Sequence, residues 1–231
     1  MKKFILVFGT AGLLMSCGGQ DSSENENGSE DTMSNPVVEE SLPEIDITLN
    51  KLDEVPTECK FEANLVDAYR WVDENGTNYF IRTISEIEMA YPVEDGDVSD
   101  SQYLYAYHYV KNSKGEFSLL KETTDFVKDC EFDIKVSHEL DAISLTDIDE
   151  NNIAEISFIY RTTCTSDVSP STQKLIMLEN GKKYPLRGTT KVMEVGGEFE
   201  VGEEFNSAPE GFQAHAEKMW SEHLVEYDFE L

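Results

Sequence analysis

The sequence predicts a mainly β fold: antiparallel hairpins and meanders in two related four-stranded, propeller-blade-like units, with one C-terminal α-helix packed on a sheet. Three observations predict it. Apolar residues recur with a period of two through most of the chain beyond residue 60. Asn75-Gly76 and Asn180-Gly181 each separate two such runs, where a tight hairpin needs residues that tolerate positive φ. The composition leans to aromatics, with 10 Tyr, 12 Phe and 2 Trp, side chains that suit a pleated, half-buried surface.

The elements follow in order. "ANLVDAYRWV" (63–72) meets "TNYFIRTI" (77–84) across the first Asn-Gly turn. "SQYLYAYHYV" (101–110) alternates, turns at "KNSKG" and continues as "EFSLLKETTDFV" (116–127). "EFDIKVS" (131–137) puts Phe132, Ile134 and Val136 on one face. "DAISLTD" (141–147) enters an acidic loop and "IAEISFIYRTT" (153–163) leaves it. "TQKLIMLE" (172–179) turns at Asn180-Gly181 into "KKYPLRGTTKVME" (182–194), with Pro185 expected at an edge or bulge. The helix is expected over 208–226. Ser207 and Glu210 form an S-x-x-E capping box, and Phe212, Ala216, Met219, Trp220, His223 and Leu224 share one stripe. A weak internal repeat relates sub-units 60–128 and 129–200, anchored by "DEN" at 73–75 and 149–151.

Ahead of this domain (46–231) lie two segments of different character. Lys2 and Lys3 precede "FILVFGTAGLL" (4–14), an apolar run too short to span a bilayer and suited to export. It ends in "LMSC" (14–17), which resembles the bacterial lipoprotein signal. That resemblance implies a signal peptide over 1–16 and lipidation of Cys17. Residues 17–45 are Gly, Ser, Asn and acid, with too little apolar surface to offset ordering entropy, so a disordered tether is expected. An acidic stretch behind the lipidated Cys resembles the signal that sends Bacteroidota lipoproteins to the outer face of the outer membrane.

Loss of residues 1–16 removes two lysines and no acid, moving the formal charge from −29 to −31. A field of that sign repels nucleic acid and anionic headgroups and favours divalent cations. Export permits disulfides, and Cys59, Cys130 and Cys164 remain after lipidation of Cys17. Cys130 and Cys164 both fall at strand–loop junctions and are expected to pair.

In "TDIDENNIAEI" (146–156), Asp147, Asp149, Asn151 and Glu155 occupy positions 1, 3, 5 and 9 of a loop between strands. Alternate acids on a tight turn can supply the hard oxygens that calcium requires. The spacing resembles the calcium loops of integrin-type FG-GAP repeats, with Asn152 where glycine is usual and Glu155 one methylene longer than Asp. The alternative is a turn whose side chains cap backbone amides. The matching positions of the first copy hold Trp71 and Tyr79, so no metal is expected there. Any calcium is expected to be weak and structural.

Catalytic signatures are sparse. His108, His138, His215 and His223 form no ligand motif, and no HExxH, GxSxG or phosphate-binding loop occurs. "STQK" (171–174) fits S-x-x-K by chance. "YRTTCTSDVSPSTQKL" (160–175) is a polar, Pro-containing loop segment with Arg161, Asp167 and Ser169 as candidate binding residues. Several phrases, among them "LYAYHYV", "DFVKDCEFD", "TDIDENNIAEISFIYRTTCTSD" and "FQAHAEKMW", resemble a family of Bacteroidota exported lipoproteins labelled surface polysaccharide biosynthesis proteins. The resemblance spans about residues 65–225 and implies a role in making or displaying surface polysaccharide, with no transferable catalytic residues. The expected protein is a non-catalytic, outer-membrane accessory binding glycan or an assembly partner, and not nucleic acid. Two alternatives stay open: an enzyme using paired carboxylates on polysaccharide, and a purely structural envelope lipoprotein.

Overall fold

A computed structural model describes residues 44–90 and 98–227. The signal segment 1–16, Cys17 and the tether up to residue 43 lie outside the described residues. The first sheet contains β1 (Asp46–Lys51), β2 (Asn64–Asp73), β3 (Gly76–Ile84), β4 (Glu88–Ala90), β5 (Ser99–Lys111) and β6 (Phe117–Cys130). Its path is β1-β2-β3-β5, with β6 on the far side of β5 and β4 pairing where β3 leaves off. The second sheet begins with β7 (Asp133–Thr146), β8 (Glu155–Thr165), β9 (Thr172–Glu179) and β10 (Lys182–Thr189). The tiny strands β11 (Lys191–Val192) and β12 (Val195–Gly196) follow, then β13 (Phe199–Val201), which borders β10. A 3₁₀ turn (Glu203–Ser207), α1 (Phe212–Glu222) and β14 (Val225–Tyr227) close the chain.

The two four-stranded units are present as the meanders β2-β3-β5-β6 and β7-β8-β9-β10, each extended by a short border strand. They pack face to face. Tyr69, Trp71, Phe80 and Leu104 of the first sheet interleave with Ile156, Phe158, Tyr160, Ile176 and Leu178 of the second. The opposite faces are covered too. Residues Leu52, Val55, Cys59 and Phe61 lie over Ala68, Tyr79, Ile81, Tyr107 and Tyr109 of the first sheet. The 3₁₀ turn and α1 cover Ile159, Leu175, Met177, Tyr184 and Leu186 of the second through Phe205, Phe212, Ala216, Met219 and Trp220. A strand buried on both faces needs apolar residues at both parities, which explains the near-continuous runs in β8 and β9.

Several sequence expectations are corrected. The two expected strands at 131–137 and 141–147 are one strand, β7 (Asp133–Thr146), which leaves Phe132 outside and exposed and whose pairing with β8 is interrupted between His138 and Ile143 by a bulge. The helix starts four residues later than expected and ends at Glu222. No capping box forms: Ser207 ends the 3₁₀ turn and donates to the Glu204 carbonyl, while Gly211, at φ 95°, is the N-cap. A Cβ there would meet Ile148 Cγ2 at 2.8 Å, so glycine is required for the acidic loop to pack under the helix. Pro185 lies within β10, just outside the short stretch that β13 pairs. The parallel pairing of β11 with β14, which sets Lys191 opposite Val225, had no sequence signal.

Two features lock the sheets together. Cys130, at the end of β6, and Cys164, in β8, form a disulfide. Arg82, wholly buried, donates from Nε and Nη2 to the two carboxylate oxygens of Asp67 (2.8 and 2.6 Å). Its Nη1 donates to the Glu139 carbonyl in the β7 bulge at 3.0 Å.

Arg82→Met is expected to cost about 3–5 kcal/mol in denaturant unfolding, because it leaves a buried Asp67 carboxylate unpaired. Pairing it with Asp67→Leu is expected to restore only part, since the bulge carbonyls still lose their donor. Reducing the disulfide, which closes a separation of 34 residues, is expected to lower stability by about 3–4 kcal/mol, read as a lower denaturant midpoint.

Candidate functional site

Two features stand out at opposite ends of β8. At its start, β7 and β8 are joined by the acidic loop. Glu150 and Asn152 adopt positive φ (56° and 62°), so Asn152 supplies the left-handed turn where glycine is usual. Asp147 accepts the Asn151 and Asn152 amides at 3.0 and 3.1 Å, which holds the turn closed. Glu155 is fully buried and accepts Thr146 Oγ1 at 2.8 Å and the Ile148 amide at 3.0 Å. Burial pushes its carboxyl up to about 7, against these hydrogen bonds and with added repulsion from Asp149 and Glu179.

One ligand atom each from Asp147, Asp149 and Glu155 lies within 4.8 Å of the others. That span matches oxygens on opposite sides of one calcium ion at roughly 2.3–2.6 Å. Asp149 Oδ1 is shielded from solvent and has no hydrogen-bond partner, an unmet acceptor that a cation would satisfy. Asn151 is turned differently from the sequence expectation. Its Nδ2 bridges Asp149 and Glu179, and its Oδ1 accepts the Ile153 amide at 2.7 Å. The loop also docks on the first "DEN" turn: Glu74 donates its amide to the Asn152 carbonyl (2.9 Å), and Asp73 accepts the Ala154 amide and Trp71 Nε1. In the first copy only Glu74 and Asn75 separate β2 from β3, so no comparable loop exists there.

At the other end of β8 the 160–175 segment shapes a cavity of about 280 Å³ lined by Thr163, Thr165, Asp167, Val168, Ser169, Ser171 and Glu226. Asp167 and Ser169, two of the candidate residues of this loop, are among its lining side chains. Asp167 receives hydrogen bonds from Ser169 and Thr165, which hold its carboxyl below the usual range. Arg161 is elsewhere. It lies on β8, 6% exposed, donating to Gln173 and to the His223 carbonyl and pairing with Glu139 at 3.2 Å. Its guanidinium fastens the end of α1 and is spent.

Glu226, which the sequence did not single out, forms the inner wall. Burial alone would raise its carboxyl, but Lys135, Thr190 and Ser171 donate to it and hold it at about 2. Its position depends on the unforeseen β11–β14 pairing, so no local pattern could reveal it. His215 and His223 line a second cavity of about 270 Å³ with Asp141 and Glu222. Among the described residues, only Asp147, Asp149 and Glu155 form a carboxylate, histidine or cysteine group close enough to share a metal.

No family model, curated protein or solved structure matches the chain. Fold and sites define a β module of two large antiparallel sheets, covered on one outer face and partly on the other, with polar recesses at the strand ends.

The buried Glu155 gives a pH test in metal-free buffer. Its raised carboxyl means that the folded chain holds a proton that the unfolded chain releases between about pH 4.5 and 7, so stability falls as pH rises through that window. Glu155→Gln lacks this loss. The stability of the variant relative to wild type is therefore expected to increase from pH 5 to pH 8, in parallel urea melts.

Proposed function

We propose that this chain is a lipid-anchored, non-catalytic accessory protein of the bacterial outer membrane that binds glycan, or a glycan-assembly partner, through the recess at the 163–171 loop. One observation carries the reading: a cavity walled by threonine and serine hydroxyls and by two carboxylates held ionised by their own hydrogen bonds. Such groups supply donors and acceptors for sugar hydroxyls. Carboxylates held so far below neutrality make poor proton donors near neutral pH, which favours binding over glycoside hydrolysis. The "LMSC" run supports the anchor on Cys17, and the acidic segment behind it supports outer-surface display. The family resemblance supports surface polysaccharide as the process served.

In this reading the acidic loop holds a structural calcium. Asp147, Asp149 and Glu155 would be its side-chain ligands, and the ion would supply positive charge to an otherwise repulsive cluster. Its benefit is to stiffen the β7–β8 junction beneath Gly211 and the start of α1.

Cys17→Ser is expected to move the protein from the membrane to the soluble fraction, and unchanged fractionation would remove the anchor. Deleting the gene is expected to reduce surface glycan, and Asp167→Ala is expected to weaken retention of the protein by that glycan. Calcium is expected to raise the melting temperature at pH 8 more than at pH 5.5, where Glu155 is protonated, and Asp149→Ala is expected to abolish the rise. No calcium effect in wild type would leave the loop as a capped turn.

A further inference from the structure

The outer face of the first sheet carries a second surface. Tyr103, Tyr105, Tyr107 and Tyr109 alternate along β5 and point to this face, with Phe126 beside Tyr103 on β6. The segment 52–62 covers the Tyr107–Tyr109 end, and among the described residues Tyr103, Tyr105 and Phe126 are left partly exposed. Phe61, Glu62, Tyr107, Tyr109, Leu119 and Glu122 line a recess of about 200 Å³ at the boundary. The rings of Tyr105 and Tyr107 are nearly parallel, at 16° and 6.1 Å between centroids. Phe126 is 47% exposed.

The charges that act on Tyr105 are acidic, while Lys128 lies over the Tyr103–Phe126 end of the face. Glu62, Glu88 and Glu122 all act on the Tyr105 hydroxyl and, after burial, help to raise its pKa. Among the described residues, Glu122 accepts the neighbouring Thr124 hydroxyl and no cation lies within ion-pair distance of the Glu62 and Glu88 carboxylates. Lys60, at the rim of the recess, directs its ammonium to the Thr57 carbonyl. An apolar partner would have to desolvate these carboxylates unpaired, which is costly. A cation would meet both them and the electron-rich ring faces. The molecule already does this on the same face: the Lys128 ammonium lies 4.6 Å from the Phe126 ring centroid and 5.3 Å from that of Tyr103.

We propose that the Tyr105 face is a binding platform for an ammonium-bearing sugar, an unacetylated amino sugar within a glycan. The sugar ring stacks on the partly exposed Tyr105, and its ammonium sits among Glu62, Glu88 and Glu122. This rests on the glycan-binding reading above but uses a different surface.

The test is titration calorimetry of the purified full chain with a glucosamine oligosaccharide and with its N-acetylated counterpart. The free amine is expected to bind more tightly, and less so at high salt. Tyr105→Ala is expected to weaken binding about tenfold, the scale of one desolvated cation–π contact. Glu62→Gln with Glu122→Gln is expected to erase the preference for the free amine while leaving the melting temperature within a few degrees, roughly the shift expected of surface changes. Lys128→Ala, which bares Tyr103 and Phe126, is expected to bind at least as tightly. Binding that survives both the tyrosine and glutamate substitutions would assign the affinity to the general acidic field and overturn the platform, and equal affinity for both sugars would overturn its ammonium specificity. Absence of binding to either sugar would also overturn it. The glycan reading itself stands or falls separately, on the deletion phenotype and the Asp167→Ala retention assay.

Discussion

Arg82 is the residue on which the joining of the two sheets depends. Its guanidinium sits in the inter-sheet core, fully buried, bidentate to Asp67 and donating to a carbonyl of the β7 bulge. An arginine there would be intolerable alone, because desolvating a charge costs several kcal/mol. Asp67 and the bulge carbonyls together meet nearly all of its donors. The bulge in turn needs Arg82, since residues 139–142 leave the β8 ladder and their backbone acceptors would otherwise face an apolar layer. Beside them His138 donates from Nε2 towards the Thr83 and Tyr105 carbonyls (3.1 and 3.2 Å) and stays neutral, its pKa pushed to about 4 mainly by burial. Glu139 continues the connection by pairing with Arg161, which holds the His223 carbonyl at the end of α1. One chain of polar contacts thus runs from β2 through both sheets to the helix.

The same logic explains which parts of the molecule were legible in the sequence. The eight meander strands were, because alternation and Asn-Gly turns are local and each strand pairs with a neighbour close in the chain. The acidic loop and the Cys130–Cys164 junctions were also visible as local patterns. The break in β7 misled because a bulge looks like a strand end when "HELD" interrupts the alternation. Ser207 and Glu210 misled because the capping-box spacing carries no information about Pro209 and Gly211, whose backbone sets the real start of α1. Arg161 looked like a loop residue by adjacency, yet strand parity turns it towards α1. Glu226 and the β14 pairing rest on contacts distant in sequence, beyond any periodicity.

Along β8 three different devices bind the second sheet to the first. Near its start, the Asp73 turn accepts the Ala154 amide and Glu74 donates to Asn152. At its middle, opposite Phe158 and Tyr160, the Arg82 contacts fill the β7 bulge. Near its end, Cys164 is covalently joined to Cys130 of β6. The apolar layer between the sheets supplies the driving force, but apolar contact alone is non-directional and tolerates sliding. Three anchors spaced along one strand remove that freedom. A one-residue slip would turn Phe158 away from the first sheet and Ile159 away from α1, and would separate Cys164 from its partner.

This anchoring has a consequence for where binding can occur. The inner faces are filled, the helix covers one outer face, and segment 52–62 covers half of the other. What remains accessible is the strand ends of the second sheet and the uncovered tyrosines of the first. Both surfaces stand on strands whose backbone is fixed by long ladders and by the contacts along β8, so their side chains are presented with little entropy left to lose. Preorganisation of that kind matters most for a ligand offering few strong contacts, such as a sugar. It also explains why the acidic loop can tolerate a carboxylate cluster: the loop is held by Asp73, Glu74 and the packing of Ile148 beneath Gly211, so burial, with lesser repulsion from Asp149 and Glu179, raises the Glu155 pKa in place of opening the fold.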